Sequence, residues 1–202
     1  MARAVIFGGG CYGSEFPCVV SDDYIIAADA GYEILEEKGI VPDITVGDFD
    51  SSEKIPEENA VILPVEKDVT DTHAAVNIAL QKGFDEIVIY GGMGGRPDHT
   101  FANITLVAFL AVKGVRASCV GEGYTVSAVM DGALELEGKT GKTVSVFSWT
   151  EKCEGVTLEG LKYPLEKAEL TNTYALGVSN SFIENKARIS VEKGILIVMA
   201  EN

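Results

Sequence analysis

The chain is short of the residues that build the commonest metal and disulfide sites. Its 202 residues include only two histidines, His73 and His99, and four cysteines. Two imidazoles do not make a histidine metal cluster, and His73, in the first turn of an expected helix, reads as a surface or supporting residue. Cys11, Cys18, Cys119 and Cys153 show no Cys-x-x-Cys spacing and are spread too thinly for a zinc knot or a disulfide framework. Reduced thiols in a cytoplasmic protein are the expectation. Basic residues are scarce too, 16 Lys and Arg against 31 Asp and Glu for a net charge of -15. Phosphate polymers select basic surfaces, so nucleic acid is not an expected partner. A nucleotide stays open, because a bound divalent cation with one or two basic side chains inverts the field locally. The longest apolar runs, near Leu106–Val112 and Ile195–Ala200, fall well short of the roughly 18 residues that span a bilayer, so no membrane partner is expected. The opening Met1-Ala2-Arg3-Ala4-Val5 enters a strand pattern directly, without a signal-peptide profile. There is no internal repeat and no low-complexity stretch.

What remains is an ordinary globular composition, 47% hydrophobic and 23% charged, with enough length for one large domain or two small ones. The pattern changes midway. Before it, short strands (Ala2–Phe7, Tyr24–Ala28, Ile44–Val46, Ala60–Pro64, Ile87–Tyr90, Arg116–Val120) alternate with helical patterns at Tyr32–Lys38, from Thr70 or Asp71 to Gly83, and at about Thr100–Lys113. From about Tyr124 the helical period disappears and strands alternate with turn signals. Val126–Met130 and Ala133–Glu137 flank Asp131-Gly132, a strong hairpin signal, and Ala187–Val191 with Ile195–Met199 reads as a closing hairpin. The expected architecture is an α/β domain over residues 1–123 with a largely parallel sheet, followed by an all-β, sandwich-like domain over 124–202.

The chemistry gathers where strands end. After Ile44–Val46 comes Gly47-Asp48-Phe49-Asp50, and in an extended segment residues i and i+2 face one side. Asp48 and Asp50 would repel each other unless a cation sits between them, and Mg²⁺ typically takes one or two carboxylates and leaves its other positions to water and phosphate. Taken alone, the stretch reads more readily as an acidic turn before a helix cap, and the motifs further along tip the balance to a metal site. Asp71 is either a helix cap or a third carboxylate at the same sheet edge. Gly91-Gly92-Met93-Gly94-Gly95-Arg96 follows the fifth strand and precedes a helix. Four glycines in five residues bring backbone N–H groups close to an anion, and Arg96 adds a charged fork. No Gly-Lys-Ser/Thr ends the loop, so it is not a Walker A loop. The alternative is a plain loop with Asp98 as the helix cap. Gly8-Gly9-Gly10-Cys11-Tyr12-Gly13 matches Gly-x-Gly-x-x-Gly, with Asp29 where a ribose-binding acid belongs. Pro17 interrupts the crossover helix that a dinucleotide site needs, so these glycines read as a loop near a ligand or a turn.

Taken together, the blocks resemble the bacterial type of the thiamine pyrophosphokinase family. The resemblance rests on Ala28-Asp29-Ala30-Gly31, Pro42-Asp43, Gly47-Asp48-Phe49-Asp50-Ser51, Lys67-Asp68-Val69-Thr70-Asp71 and Gly94-Gly95-Arg96-Pro97-Asp98-His99. In the β half, Gly155–Leu165 and Gly177-Val178-Ser179-Asn180 are similar as well. Two positions depart from the family pattern: Ala30 replaces a usual glycine, and Ser181 replaces the acid usual after Ser-Asn. Some relatives stack thiamine on a tryptophan near the C-terminus; Met199-Ala200-Glu201-Asn202 offers none.

The resemblance implies transfer of a diphosphoryl group from ATP to the hydroxyethyl oxygen of thiamine, giving thiamine diphosphate and AMP. It implies Asp48, Asp50 and Asp71 as Mg²⁺ ligands with Asp29 nearby, and Lys67, Arg96, Asp98 and His99 along the ATP site. Ser179 and Asn180 would meet the thiamine pyrimidine. The metal and phosphate residues all lie in the first half, so a β domain must reach them, and the resemblance implies that of a partner in a homodimer. Such transfer asks for positioning and for positive charge on phosphate oxygens, which Mg²⁺, Arg96 and Lys67 supply. Asp71 is the residue chosen to take the alcohol proton. The competing readings are a related pyrophosphokinase acting on a pterin alcohol, a Rossmann oxidoreductase, and a non-catalytic nucleotide-binding module.

Overall fold

Apolar runs of three to five residues, too short for helices and rich in β-branched side chains, become the strands of the first half. They are β1 (Ala4–Phe7), β2 (Tyr24–Ala28), β3 (Ile44–Gly47), β4 (Ala60–Ile62), β5 (Glu86–Tyr90) and β6 (Arg116–Val120). The computed structural model describes residues 2–13, 16–48, 59–64 and 68–202. Two units divide the chain: Met1–Leu106 with Val115–Glu122, and Val107–Gly114 with Gly123–Asn202.

In the first unit the strands lie in the order β6-β5-β1-β2-β3-β4, and every pair is parallel. The central β1 is buried along its whole length, as a parallel strand covered on both faces must be. Helices α1 (Gly31–Glu37), α2 (Asp71–Gln81) and α3 (Pro97–Val112) join the strands. Helix α2 buries Ala74, Ala75, Val76 and Ala79, the small-residue stripe that its period predicts. Both α1 and α2 end with a left-handed glycine that lets the chain turn back on itself. Gly39 donates to Glu36 and Ile40 to Leu35, while Gly83 donates to Leu80 and Phe84 to Ala79.

Helix α3 begins three residues before the expected Thr100. Pro97 takes the first helical position, where its missing N–H costs nothing and its fixed φ suits the helix. Asp98 therefore sits inside the first turn and is not the cap.

The second unit is all β. Its strands are β7 (Tyr124–Met130), β8 (Ala133–Glu137), β9 (Thr143–Ser148), β10 (Lys152–Glu159), β11 (Leu165–Thr171), β12 (Gly177–Ser181), β13 (Lys186–Ser190) and β14 (Ile195–Glu201). They form two antiparallel layers, β12-β9-β14-β7 and β11-β10-β13-β8. One apolar core joins the layers, with Val144, Val146, Leu196 and Val198 from the first and Val156, Leu158, Leu170 and Ile189 from the second. The chain's one tryptophan, Trp149, follows β9 here and donates its backbone N–H to Ile195 at 2.8 Å.

Neither expected hairpin forms. Across Asp131-Gly132 the chain passes from one layer to the other, and it does so again across Lys193-Gly194. β7 consequently pairs with β14, and β8 with β13. The two corners hold each other: Gly194 N–H donates to Asp131 Oδ1 at 2.7 Å, and Val191 N–H donates to the Gly132 carbonyl at 2.9 Å. Alternation shows which face of a strand is buried. It does not show which strand lies beside it.

The residue most constrained by the packing of the first unit is Gly31. A Cβ there would lie 1.9 Å from the Phe7 carbonyl oxygen, because α1 starts hard against the end of β1. The neighbouring Ala30 has helical angles (φ -57°, ψ -9°), so a methyl group is tolerated where the family usually has glycine. Gly31→Ala should destabilise by about 1–3 kcal/mol through overpacking, whereas Ala30→Gly should cost about 1 kcal/mol or less. Urea denaturation of the two variants against the parent checks the order.

Candidate active site

The parallel order places a topological switch between β1 and β5, where ligands of open α/β sheets bind. Both strands are followed by glycines, and the two glycine segments run together. Gly8 N–H donates to Tyr90, Gly10 N–H to Gly91 and Cys11 N–H to Met93, at 2.9, 2.8 and 2.9 Å. A Cβ on Gly10 would come within 2.4 Å of the Gly91 carbonyl oxygen, so only glycine allows this approach. Gly8–Gly13 is therefore a backbone contact segment. No helix separates β1 from β2 among the described residues, which removes the crossover helix of a dinucleotide fingerprint. Beneath the segment, Tyr12 donates its hydroxyl to the Gly8 carbonyl at 2.7 Å and stacks with Phe7 and Phe16. Burial pushes the Tyr12 phenol well above its ordinary pKa.

A cleft of about 340 Å³ opens over these loops. Gly9, Gly10, Asp29, Asp71, Arg96 and His99 line it, together with Thr70, Thr72 and Asn103. Of the residues singled out from sequence, it brings together Asp29, Asp71, Arg96 and His99. Asp29 directly follows β2 with φ 50°, a left-handed conformation uncommon for a side-chain-bearing residue, and its N–H donates to the Val46 carbonyl at 2.8 Å. Asp48 follows β3, the strand beside β2, so these two acids leave adjacent strand ends. The cap of α2 is Thr70, whose hydroxyl accepts from His73 N–H at 3.2 Å. Asp71 is thus relieved of the capping role, and its Oδ1 is buried. Asp50 and Lys67 lie outside the described residues.

Arg96 and Asp98 form a two-pronged pair at 3.2 and 2.6 Å, with side chains 70% and 63% exposed. The hydrogen bonds from Arg96 hold the Asp98 carboxyl down to about 2. The carboxylate oxygens here would suit a hard cation such as Mg²⁺, which needs only one or two carboxylates. Among the described residues no three His, Cys, Asp or Glu side chains converge as a metal site.

In the second unit, Ser179 and Asn180 sit on β12. Asn180 is 3% exposed and accepts from Tyr163 N–H while donating to the Tyr163 carbonyl, at 2.9 and 2.7 Å. Its amide therefore clamps the loop before β11. Ser179 is exposed at φ 60°, and its N–H donates to Ser145 Oγ. Backbone outliers of this kind concentrate at functional positions. Beside them is a hollow of about 250 Å³ lined by Leu158, Tyr163, Leu165, Leu176, Val178 and Asn180. Sequence reasoning missed Tyr163 and Asn103. The signal for Asn103 was an amide in an otherwise apolar helical stretch, one turn after His99.

An open parallel sheet with glycine loops, an arginine and carboxylates at its switch point defines an α/β phosphate-handling enzyme. Residues 18–118 match the family model described as thiamin pyrophosphokinase, catalytic domain, and residues 133–196 match the thiamin pyrophosphokinase, vitamin B1 binding domain. Thiamine pyrophosphokinase of Bacillus subtilis is 32% identical over 86% of this chain and 85% of its own. Thiamin pyrophosphokinase 1 of Caenorhabditis elegans is 30% identical over 78% and 70%. The crystal structure of the B. subtilis protein superposes with a TM-score of 0.88 at 27% identity, covering 100% of this chain and 99% of that one. That of Geobacillus thermodenitrificans gives 0.83 at 26% identity, covering 100% and 98%. The chain belongs to the thiamine pyrophosphokinase family.

The Arg96–Asp98 pair has a pH signature. A depressed carboxyl contributes its pairing above its ordinary value and loses it as pH falls through the folded value, here about 2. Carboxyl NMR titration should place Asp98 near 2 and move it up toward 3.8 in Arg96→Ala. An unmoved midpoint would show that Arg96 is not its partner.

Proposed function

We infer that this enzyme transfers the terminal diphosphoryl group of ATP to the hydroxyethyl oxygen of thiamine, releasing AMP and thiamine diphosphate. The observation that carries the reading is the single cleft at the switch point that gathers Asp29, Asp71, Arg96 and His99 around two glycine segments. Residues 1–123 hold ATP and Mg²⁺ in this reading, and residues 124–202 hold thiamine. The two matched family regions support that division.

Asp48, Asp50 and Asp71 would hold Mg²⁺, which when bound supplies positive charge to the phosphate oxygens. Arg96 exchanges Asp98 for phosphate: the fork that now holds a carboxylate holds two phosphate oxygens in the complex. Backbone N–H groups of the glycine loop and Lys67 complete the cradle, with Asp98 and His99 at its rim. The thiamine hydroxyl oxygen then forms its bond to the β-phosphorus as the bond from that phosphorus to the α,β-bridging oxygen breaks. The hydroxyl proton passes to Asp71, and the bridging oxygen leaves with AMP. Ser179 and Asn180 hold the pyrimidine end, Asn180 by fixing Tyr163. No helix among the described residues is long and apolar enough to cross a membrane, and all four cysteines are free, in keeping with a cytoplasmic location. The working form is a homodimer with thiamine sites between subunits. Exposed Tyr163, Tyr174, Leu176 and Ile183 in the second unit support it as surface an association would cover.

Incubation with ATP, Mg²⁺ and thiamine should yield AMP in step with thiamine diphosphate; ADP with thiamine monophosphate would refute the reaction. Asp48→Asn and Asp50→Asn should each lower kcat by about 100-fold or more and leave the melting temperature unchanged or raised, since each removes one like charge. Turnover close to the parent at limiting Mg²⁺ would remove that residue from the ligand set.

The dimer is tested by complementation. Asp48→Asn chains mixed with Asn180→Ala chains under subunit exchange should regain up to about one quarter of parental activity, because half the dimers are mixed and each has one intact site. No recovery between two folded, inactive variants would mean that each site draws on one chain.

A further inference from the structure

The geometry points to Asn103 as the positioning residue that sets the glycine loop for ATP, an assignment that rests on reading the switch-point cleft as the ATP site. Asn103 lies on α3 one turn after His99, so both face the cleft that they line. It is 5% exposed, and its Nδ2 donates to the Gly92 carbonyl at 2.6 Å. A buried amide in an otherwise apolar stretch is costly unless it makes such a bond.

The bond closes a clamp. On one side, Gly91 and Met93 carbonyls accept from Gly10 and Cys11. On the other, Asn103 takes the carbonyl of Gly92, the residue between them. Gly92 is closely packed on its Cβ side, where an added Cβ would lie 2.6 Å from Cys119 Sγ and 2.9 Å from Ile89 Cγ2. The three successive carbonyls from Gly91 to Met93 are thus all engaged, and the loop is pinned as it enters Gly94 and Gly95, at φ 84° and 71°. Those two residues lead directly to Arg96. The carbonyls of the pinned segment are turned to protein donors, so the loop offers an incoming phosphate fewer repelling oxygens. Loss of the Asn103 donor would leave the Gly92 oxygen without its partner and free the loop to rotate peptides toward the ligand in the wrong sense.

The test compares Asn103→Asp, which keeps size but loses the donor, and Asn103→Ser with the parent chain. Asn103→Gln, which keeps the amide, is the conservative control. The readouts are kcat, KM for ATP, KM for thiamine, the Kd of Mg·ATP by calorimetry, and amide hydrogen exchange at Gly94, Gly95 and Arg96. Asn103→Asp, which lacks the donor, and Asn103→Ser, whose hydroxyl is one bond too short for the Gly92 carbonyl, should each raise KM and Kd for ATP by about tenfold, leave KM for thiamine within about twofold, and speed exchange at the three amides. Asn103→Gln should recover part of the ATP affinity. A folded Asn103→Ser chain with parental exchange and parental KM for ATP overturns the assignment, as does an equal rise in both KM values, which a general loss of structure would give. If Asn103→Asp does not fold, Asn103→Ser decides alone. A parent chain that forms product from neither ATP nor Mg·ATP, and binds neither, overturns instead the reading of the cleft.

Discussion

The backbone contact between Gly8–Cys11 and Tyr90–Met93 is the constraint on which the first unit depends. Parallel neighbours β1 and β5 would ordinarily part after Phe7 and Tyr90, since their connections leave in opposite directions. Here three N–H to carbonyl bonds keep the two segments together beyond the sheet. Side chains would forbid it, so glycine is demanded at Gly10 by closeness and at Gly91 by φ 63°. Because the loops cannot separate, the mouth of the cleft is held at fixed width from below, and Tyr12 braces it with its ring and hydroxyl.

On that base the polar groups divide their work. Thr70 caps the start of α2, which leaves Asp71 beside the cleft without the capping role. Arg96 and Asp98 hold each other in an exposed pair, so under the proposed function the guanidinium would give up an exposed partner rather than a buried one for phosphate. Exposed pairs contribute little, because solvent screens them. The net charge of -15 makes such local arrangements necessary. An anionic substrate approaching an acidic protein needs its cations placed where it binds.

Much of this was legible in the sequence, and the boundary of legibility is physical. Strands β1, β2, β3 and β5 are short apolar runs that glycines or acids terminate, and the helices carry their own caps, so local chemistry is enough to read them. Asp71 and Arg96 could be nominated as an acid and an arginine at a helix start and a strand-end loop, with capping the alternative for Asp71, whereas His99 and the place of Asp29 near the metal came through the family resemblance. The false hairpins at Asp131-Gly132 and Lys193-Gly194 failed for a different reason. A two-residue turn between alternating strands has the same sequence whether the strands stay in one layer or part into two, and the choice is made by residues some 60 positions away. Asn103 escaped because its partner is a carbonyl, which no sequence displays. The engagement of the Asn180 amide with the Tyr163 backbone is equally invisible in a string of residues.

The position of Trp149 gives the molecule an optical asymmetry. The sole indole is in the β unit, whereas Tyr12, Tyr24, Tyr32 and Tyr90 belong to the parallel-sheet unit. Light absorbed at the red edge excites only the indole, so its emission reports the melting of the β unit and is blind to the other. Far-ultraviolet dichroism reports both units and carries the signal of α1 and α2, which belong to the first. The two signals thus weight the halves differently, and a gap between their transition midpoints would show that unfolding is not two-state.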